Sequence, residues 1–359
     1  MPYQVSSRLL RLFLAVLLLA GCAARPPAPE FSPPVYPPPP AEPRFVYDGT
    51  LRAASDFVQP DFGERLRRFA TGSRETPLGM AKPFAVAVHR GRIYVSDTQQ
   101  RAVLLFDLPG QRVKVIGERG PGTLVKPMGL ALDQARGKLY VADVTARRIQ
   151  VYDSEGEHLA TWGRDVAMRR PVGIALSPEG DRLYVVDVGG VDSDRHRVWV
   201  FDTRTGSLAF HFGQRGVRLG EFNLPIHAAT GPDGTLYVVD GGNFRVQAFD
   251  PEGRPLFAFG APGRRSGQFS RPKGIAVDAA GRIYVVDAAF GNVQIFDSQG
   301  RLLMHLGERA TRGGPGRFML PSGCAVDEAG RLFVVDQFFR KIDVFRPATL
   351  PPWERLPLR

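Results

Sequence analysis

The chain has 359 residues, with 47 lysines and arginines against 36 aspartates and glutamates, a formal net charge of +11 and 43% hydrophobic content. That apolar content excludes an intrinsically disordered chain. The two cysteines, Cys22 and Cys324, are too few for a disulfide scaffold or a paired-cysteine metal motif.

Arg8, Arg11 and an apolar run from Leu12 to Leu19 open the chain. A positive start before a short apolar core is an export signal, too short to stay as a spanning helix. Leu19-Ala20-Gly21-Cys22 resembles the lipobox of bacterial lipoproteins, which implies a signal peptide over 1–21 and a mature chain that begins at a lipidated Cys22. With Ala23 and Ala24 next, and no aspartate, the resemblance implies a cell-envelope protein on the periplasmic side of the outer membrane in a Gram-negative cell. Loss of Arg8 and Arg11 with the leader takes +11 to +9. Residues 22–65 read as a proline-rich tether: ten prolines fall between 23 and 45, and such a chain extends by about 3 Å per residue.

The following segment repeats. Six apolar runs end in aspartate, at Asp97, Asp143, Asp187, Asp240, Asp287 and Asp336, at intervals of 46, 44, 53, 47 and 49 residues. A period of this length belongs to repeat architectures. Ahead of each run stands a proline and a small-residue stretch, as in Pro127-Met128-Gly129-Leu130-Ala131-Leu132 and Pro272-Lys273-Gly274-Ile275-Ala276-Val277. Glycine and alanine in a strand suit an innermost position where backbones crowd. A third strand begins after the aspartate, as in Val246-Gln247-Ala248-Phe249, and a fourth closes on glycine at 117, 163, 213, 260 and 307. Phe222, Phe269 and Phe318, each three residues before a proline, predict plugs between neighbouring sheets.

Four strands per unit predict an all-β fold: a six-bladed β-propeller over 66–346 with a C-terminal tail at 347–359. The sixth unit meets Pro347 after its third strand, so an N-terminal strand is needed to complete the last blade, and Leu66–Gly72 is the expected donor. The six aspartates are expected to be structural, folding back onto backbone N–H groups of adjacent loops.

Pro-x-Gly-Ile-Ala-Val, Tyr-Val-Val-Asp and Asn-x-Arg-Val-Gln-x-Phe-Asp, seen best at Pro272–Asp297 and Asp240–Asp250, resemble the NHL repeat family. The third unit departs from the pattern with five extra residues within 188–196. The loop entering the first strand and the loop leaving the second are expected on one face. The residues after the prolines, Phe84, Met128, Val172, Ile226, Lys273 and Ser322, then ring a channel mouth, with His227 beside them. Asn243, Phe244, Arg245, Phe290, Phe338, Phe339 and Arg340 join from the second loops. The phenylalanines serve either as inter-blade packing or as a recognition patch.

Two function classes follow. The first is a lipid-anchored, non-catalytic binding or scaffolding module for an envelope protein or an anionic polymer, the basic surplus supplying attraction if it is not simply dispersed for solubility. The second is a metal-dependent hydrolase or lyase. The resemblance extends to lactonase-like and amidating-lyase-like propellers, which implies channel ligands of Glu, Asn, Asp or His. Here no residue following a proline is acidic, and only His227 lies on an inner strand. No cofactor and no catalytic residue is therefore expected, a divalent cation staying open. Some NHL propellers bind RNA through basic faces, but an exported chain is not expected to meet nucleic acid.

Overall fold

The computed structural model describes residues 32–59, 77–190 and 193–358, together with Gly63 and Ala70. The chain divides into residues 1–33 and 34–359, and the second unit holds the fold. The leader and Cys22 lie outside the described residues.

Six antiparallel sheets follow one another. Blade 1 consists of Pro83–His89, Arg92–Asp97, Ala102–Asp107 and Arg112–Ile116. Blades 2 to 5 repeat this order from Pro127, Pro171, Pro225 and Pro272. Blade 6 starts with Pro321–Val326, Leu332–Asp336 and Lys341–Pro347. The middle strands are apolar on both faces because each face meets a different neighbour. Leu183 and Val185 pack toward blade 2, while Tyr184 and Val186 pack toward blade 4. Each of the six interfaces holds one such buried cluster, so removing water from between blades is the main drive for assembly.

The innermost strands pack so closely that their glycines are required. A Cβ on Gly173 would fall 2.6 Å from the His227 Cα and the Ile226 carbonyl oxygen, and one on Gly274 2.5 Å from the Ser322 carbonyl oxygen. The ring closes where Ser322 Oγ donates to the Phe84 carbonyl at 2.8 Å, from blade 6 to blade 1. Phe222, Phe269 and Phe318 are fully buried plugs, each lying against the closing glycine before it.

The closing strand is N-terminal, but it is Phe45–Leu51, which pairs antiparallel with Lys341–Pro347. The expected donor, 66–72, lies apart from Ala70 outside the described residues. The expected tether over 22–65 is corrected accordingly, since its part from Pro34 onward belongs to the folded unit. Phe45, Val46 and Tyr47 are strand formers, and Phe45 and Leu51 bury into the two interfaces of blade 6. Val35–Tyr36 adds a fifth strand outside it. The prolines flanking that pair have no N–H, so they blunt the edge against further pairing.

Buried charge pins the clasp. Asp343 accepts from Thr50 Oγ1 at 2.6 Å on the closing strand, from Gly316 N at 3.0 Å and from Lys341 Nζ. Burial raises this carboxyl above its usual range, against the pull of Lys341. The tail returns over the same strand, with Leu358 against Gly49 and Leu356 N donating to Asp48.

If inner-strand crowding sets the ring, Gly274→Ala costs about 1–3 kcal/mol of stability. Gly190→Ala, where a Cβ meets nothing closer than 3.8 Å, leaves melting unchanged. Thermal denaturation of the two variants checks this; equal melting temperatures would contradict it.

Candidate functional site

The strand registers settle which loops share a face. Pro83 pairs with Asp97, Pro127 with Asp143 and Pro225 with Asp240, and the same aspartates pair with Ala102, Arg148 and Arg245 at the start of the third strands. The loops entering the first strands and those leaving the second therefore open together. The opposite face carries the remaining turns.

All six repeat aspartates are buried and tie these two loops together. Asp97 accepts from the amides of Ala81, Lys82, Gln99 and Gln100, and Asp287 from those of Ser270, Arg271, Ala289 and Phe290. Asp336 does the same with Met319, Leu320, Phe338 and Phe339. Asp143 takes Val125, Lys126 and Ala146; Asp187 takes Arg169, Arg170, Gly189 and the Trp199 indole. Asp240 accepts from Asn223 N and from the side chains of Asn243, Arg245 and Gln247. Carboxylates that accept so many N–H groups are committed to the scaffold.

This bonding fixes a ring of cations. In four blades the residue just before the proline is basic: Lys82, Lys126, Arg170 and Arg271. Each gives its amide to an aspartate, and its carbonyl accepts from Thr98, Val144, Val188 or Ala288 on the facing loop. Their backbones are held from both sides while their side chains are exposed, and none has an ion pair among the described residues. Lys273 sits half-buried after Pro272. Burial pushes its ammonium down to about 8, with repulsion from Arg271 and Lys82 adding to the shift. Farther out, Arg101, Arg147 and Arg340 hold φ of 58°, 56° and 51°, a region in which blade 5 uses Gly291. Such a backbone costs about 1 kcal/mol or more for a residue with a Cβ.

The opposite face is different. Arg112 pairs with Asp107 at 3.0 Å, Arg182 with Glu252 at 3.2 Å, Arg282 with Asp278 at 2.6 Å, Arg301 with Asp297 at 2.6 Å and Arg331 with Asp327 at 3.1 Å. These arginines are neutralised, whereas Lys82, Lys126, Arg170 and Arg271 carry no ion pair among the described residues, although Arg245 and Arg317 on their side of the ring pair with Asp240 and Glu308. Of the rim cations other than Arg245, only Lys273 and Arg340 stand among the sequence candidates; Lys82, Lys126, Arg170 and Arg271 are marked by the position just before the proline.

The other candidates separate into groups. Phe84, Met128 and Ile226 are half-buried around the ring. Val172 is buried in the cluster between blades 3 and 4, and Ser322 is buried with its hydroxyl bonded across to blade 1. Asn243 and Arg245 brace blade 4, Arg245 also donating to the carbonyls of Arg218 and Glu221. Phe244 packs on the cluster between blades 4 and 5, and Phe290 is half-buried. Phe338 is 58% exposed and meets Phe339 edge-on at 5.1 Å.

His227 lines a cavity of about 210 Å³ within the channel, together with Val86, Leu130, Ile174, Ile275 and Cys324. The lining runs to Val88, Leu132, Leu176 and Val326, toward the end of the channel away from the cationic rim. Burial holds the imidazole down at about 4, against its Nδ1 contact with the Ala228 carbonyl at 3.1 Å. Among the described residues, no three His, Cys, Asp or Glu side chains gather as a metal site.

Residues 79–180 match a family described as a 6-bladed beta-propeller, and residues 168–201 match the NHL repeat. No curated protein matches the chain in sequence. Solved structures share the fold widely. A Bacteroides thetaiotaomicron protein of unknown function has a TM-score of 0.61 at 15% identity, covering 83% of this chain and 76% of its own. A Xanthomonas campestris gluconolactonase has 0.56 at 20%, covering 75% and 86%. A catalytically inactive virginiamycin B lyase from Staphylococcus aureus, solved with quinupristin, has 0.54 at 16%, covering 74% and 83%. At these identities the likeness concerns architecture, which hosts many unrelated functions.

Because the folded His227 resists protonation, its contribution to stability is present above its ordinary value near 6.5. It is lost as pH falls from there toward about 4, by at most about 3 kcal/mol. Melting temperatures of wild type and His227→Gln across this range test the assignment: the wild type should lose more stability on acidification, and parallel profiles would refute it.

Proposed function

Since the chain is a six-bladed β-propeller that matches the NHL repeat over 168–201, we propose that it is a non-catalytic binding module, which takes an anionic polymer on the face rimmed by Lys82, Lys126, Arg170, Arg271 and Lys273. We further infer that lipidated Cys22 anchors it in the cell envelope. The observation that carries the reading is the segregation of charge. Unpaired surface cations repel one another, Arg271 and Lys82 adding to the burial that lowers the Lys273 ammonium, and a polyanion relieves that repulsion across several side chains at once. Export by the leader read over 1–21 would put acidic polysaccharide or anionic lipid within reach, and nucleic acid out of it.

A second reading is a metal-dependent hydrolase or lyase acting in the channel around His227. It draws on the channel cavity and on the fold shared with a gluconolactonase and a lyase. Against it stand a lining without a carboxylate and with a single histidine, which leave the cationic rim as the stronger feature. Turnover of a lactone or ester that is lost in His227→Gln would favour this reading.

Polygalacturonate serves as a test polymer. The variant Lys82→Ser/Arg271→Ser should bind it about tenfold more weakly, roughly 1.4 kcal/mol, and wild-type binding should weaken with salt as charges are screened beyond about 10 Å at 0.1 M. Titration calorimetry reads both, and salt-independent binding would overturn the proposal. Below about 8 Lys273 is charged and attracts the polymer, so affinity falls as pH rises through that value; Lys273→Met removes the step. Arg271 and Lys82 are the charged groups that act on it.

Anchoring has a separate check. Cys22→Ser should move the protein from membrane to soluble fractions and abolish incorporation of labelled palmitate. Unchanged fractionation would remove the anchor from the account.

A further inference from the structure

A pocket of about 490 Å³ opens between the loop after the second strand of blade 2 and the loop that leads on to blade 3. Its lining is Ala146, Arg147, Arg148, Arg164, Val166, Ala167 and Met168. The gap follows from loop length. In blade 5 the corresponding loops are joined by Arg309 Nη1 donating to the Ala289 carbonyl at 3.0 Å, and in blade 3 by Arg215 N donating to the Asp194 carbonyl at 3.0 Å. Behind blade 2 the loop is the shortest, Gly163 and Pro171 standing eight residues apart, and no hydrogen bond joins 163–170 to 144–147 among these described residues. Space is left where other blades have loop.

Three guanidinium groups line that space and no carboxylate does. Arg148 is half-buried and oriented by its bond to the Thr123 carbonyl at 3.2 Å. With the Gln150 amide turned to satisfy His158 and Thr161, its oxygen also accepts from Arg148. Arg147 and Arg164 are exposed and have no partner among the described residues, Arg147 in the left-handed conformation already noted. Asp165, beside Arg164 in the chain, forms no ion pair with any of the three. Val166 and the two alanines add a smaller apolar share to the lining, while Met168 is buried in the core between blades 2 and 3.

We propose that this pocket is a subsite for one oxyanion-bearing sugar unit, carboxylated or phosphorylated, of the polymer that the rim attracts. The inference rests on the binding reading above. Arginine forks match the geometry of carboxylate and phosphate oxygens. The volume is that of a small-ligand site, and three guanidinium groups gathered at one place suit one anionic unit better than the spaced charges of an extended peptide. The apolar side chains face the C–H surface of the ring while the guanidinium groups hold its anion.

The test uses the full-length protein in detergent, with glucuronate, glucose 1-phosphate, inorganic phosphate, glucose and polygalacturonate as probes. Glucuronate or glucose 1-phosphate should bind and glucose should not, and Arg147→Ala/Arg164→Ala should weaken the anionic sugar roughly tenfold or more. Arg301→Ala, on the opposite face, should change nothing. Sugar binding that survives in Arg147→Ala/Arg164→Ala overturns the subsite, as does inorganic phosphate binding as tightly as glucose 1-phosphate, which would mark a plain anion site. Displacement of the sugars by polyglutamate at equal affinity overturns it in favour of an acidic peptide. If Lys82→Ser/Arg271→Ser leaves polymer binding intact while the pocket variant abolishes sugar binding, the rim reading fails and the subsite stands.

Discussion

The structure depends on one repeated interaction, a buried carboxylate at the end of each second strand that accepts N–H groups from two loops of its own blade. Without it, the loop entering the first strand and the loop leaving the second would both end in unsatisfied donors beside an apolar core, each costing about 1–3 kcal/mol. With it, the two loops become one rigid edge. Lys82, Lys126, Arg170 and Arg271 each give an amide to such an aspartate, so the scaffold bond also sets where the side chains of the rim begin. A negative charge inside the blade and a positive charge on its surface are parts of the same arrangement, and the buried member is not available to neutralise the exposed one.

Closure uses a different device. Five blades have four strands in chain order, and the sixth borrows Phe45–Leu51. The third strand of blade 6 carries Asp343 where blades 4 and 5 carry Gln247 and Gln294, whose amides bond to the adjoining loops. Asp343 keeps one such bond, to Gly316 N, and spends its other oxygen on Thr50. A charge so deeply buried is costly, and Lys341 beside it repays part of that cost. The pair also selects its partner strand, since a strand without a hydroxyl at that register leaves an acceptor unpaired.

These arrangements explain what could be read from the residues. The repeat was legible because proline, glycine and aspartate answer the same backbone demand in every blade: Gly173 and Gly274 because a Cβ would strike the next blade, and Asp97 and Asp287 because four amides converge there. The closing strand was not, because it occurs once and no repeat marks it. Prolines around it suggest a tether, yet they also suit the edge of a sheet, and only pairing distinguishes the two. Val172 and Ser322 looked like mouth residues by position, but neighbouring blades press so close that both are buried. The pocket beside Arg147 was visible only as a short interval between a glycine and a proline. Its meaning comes from the longer loops that fill the same place in blades 3 and 5.

The distribution of arginine carries the argument one step further. A chain selected only for solubility gains as much from arginine on either face, and pairing each with a nearby acid costs little, as Arg282 with Asp278 and Arg301 with Asp297 demonstrate. At Lys82, Lys126, Arg170 and Arg271 the pairing is missing among the described residues, and Arg101, Arg147 and Arg340, like Phe244 in blade 4, occupy a backbone conformation that glycine would hold with less strain. Both features lower the stability of the isolated protein. Negative charge arriving from outside would relieve the repulsion, though not the backbone strain, and the proposed anionic partner rests on that relief.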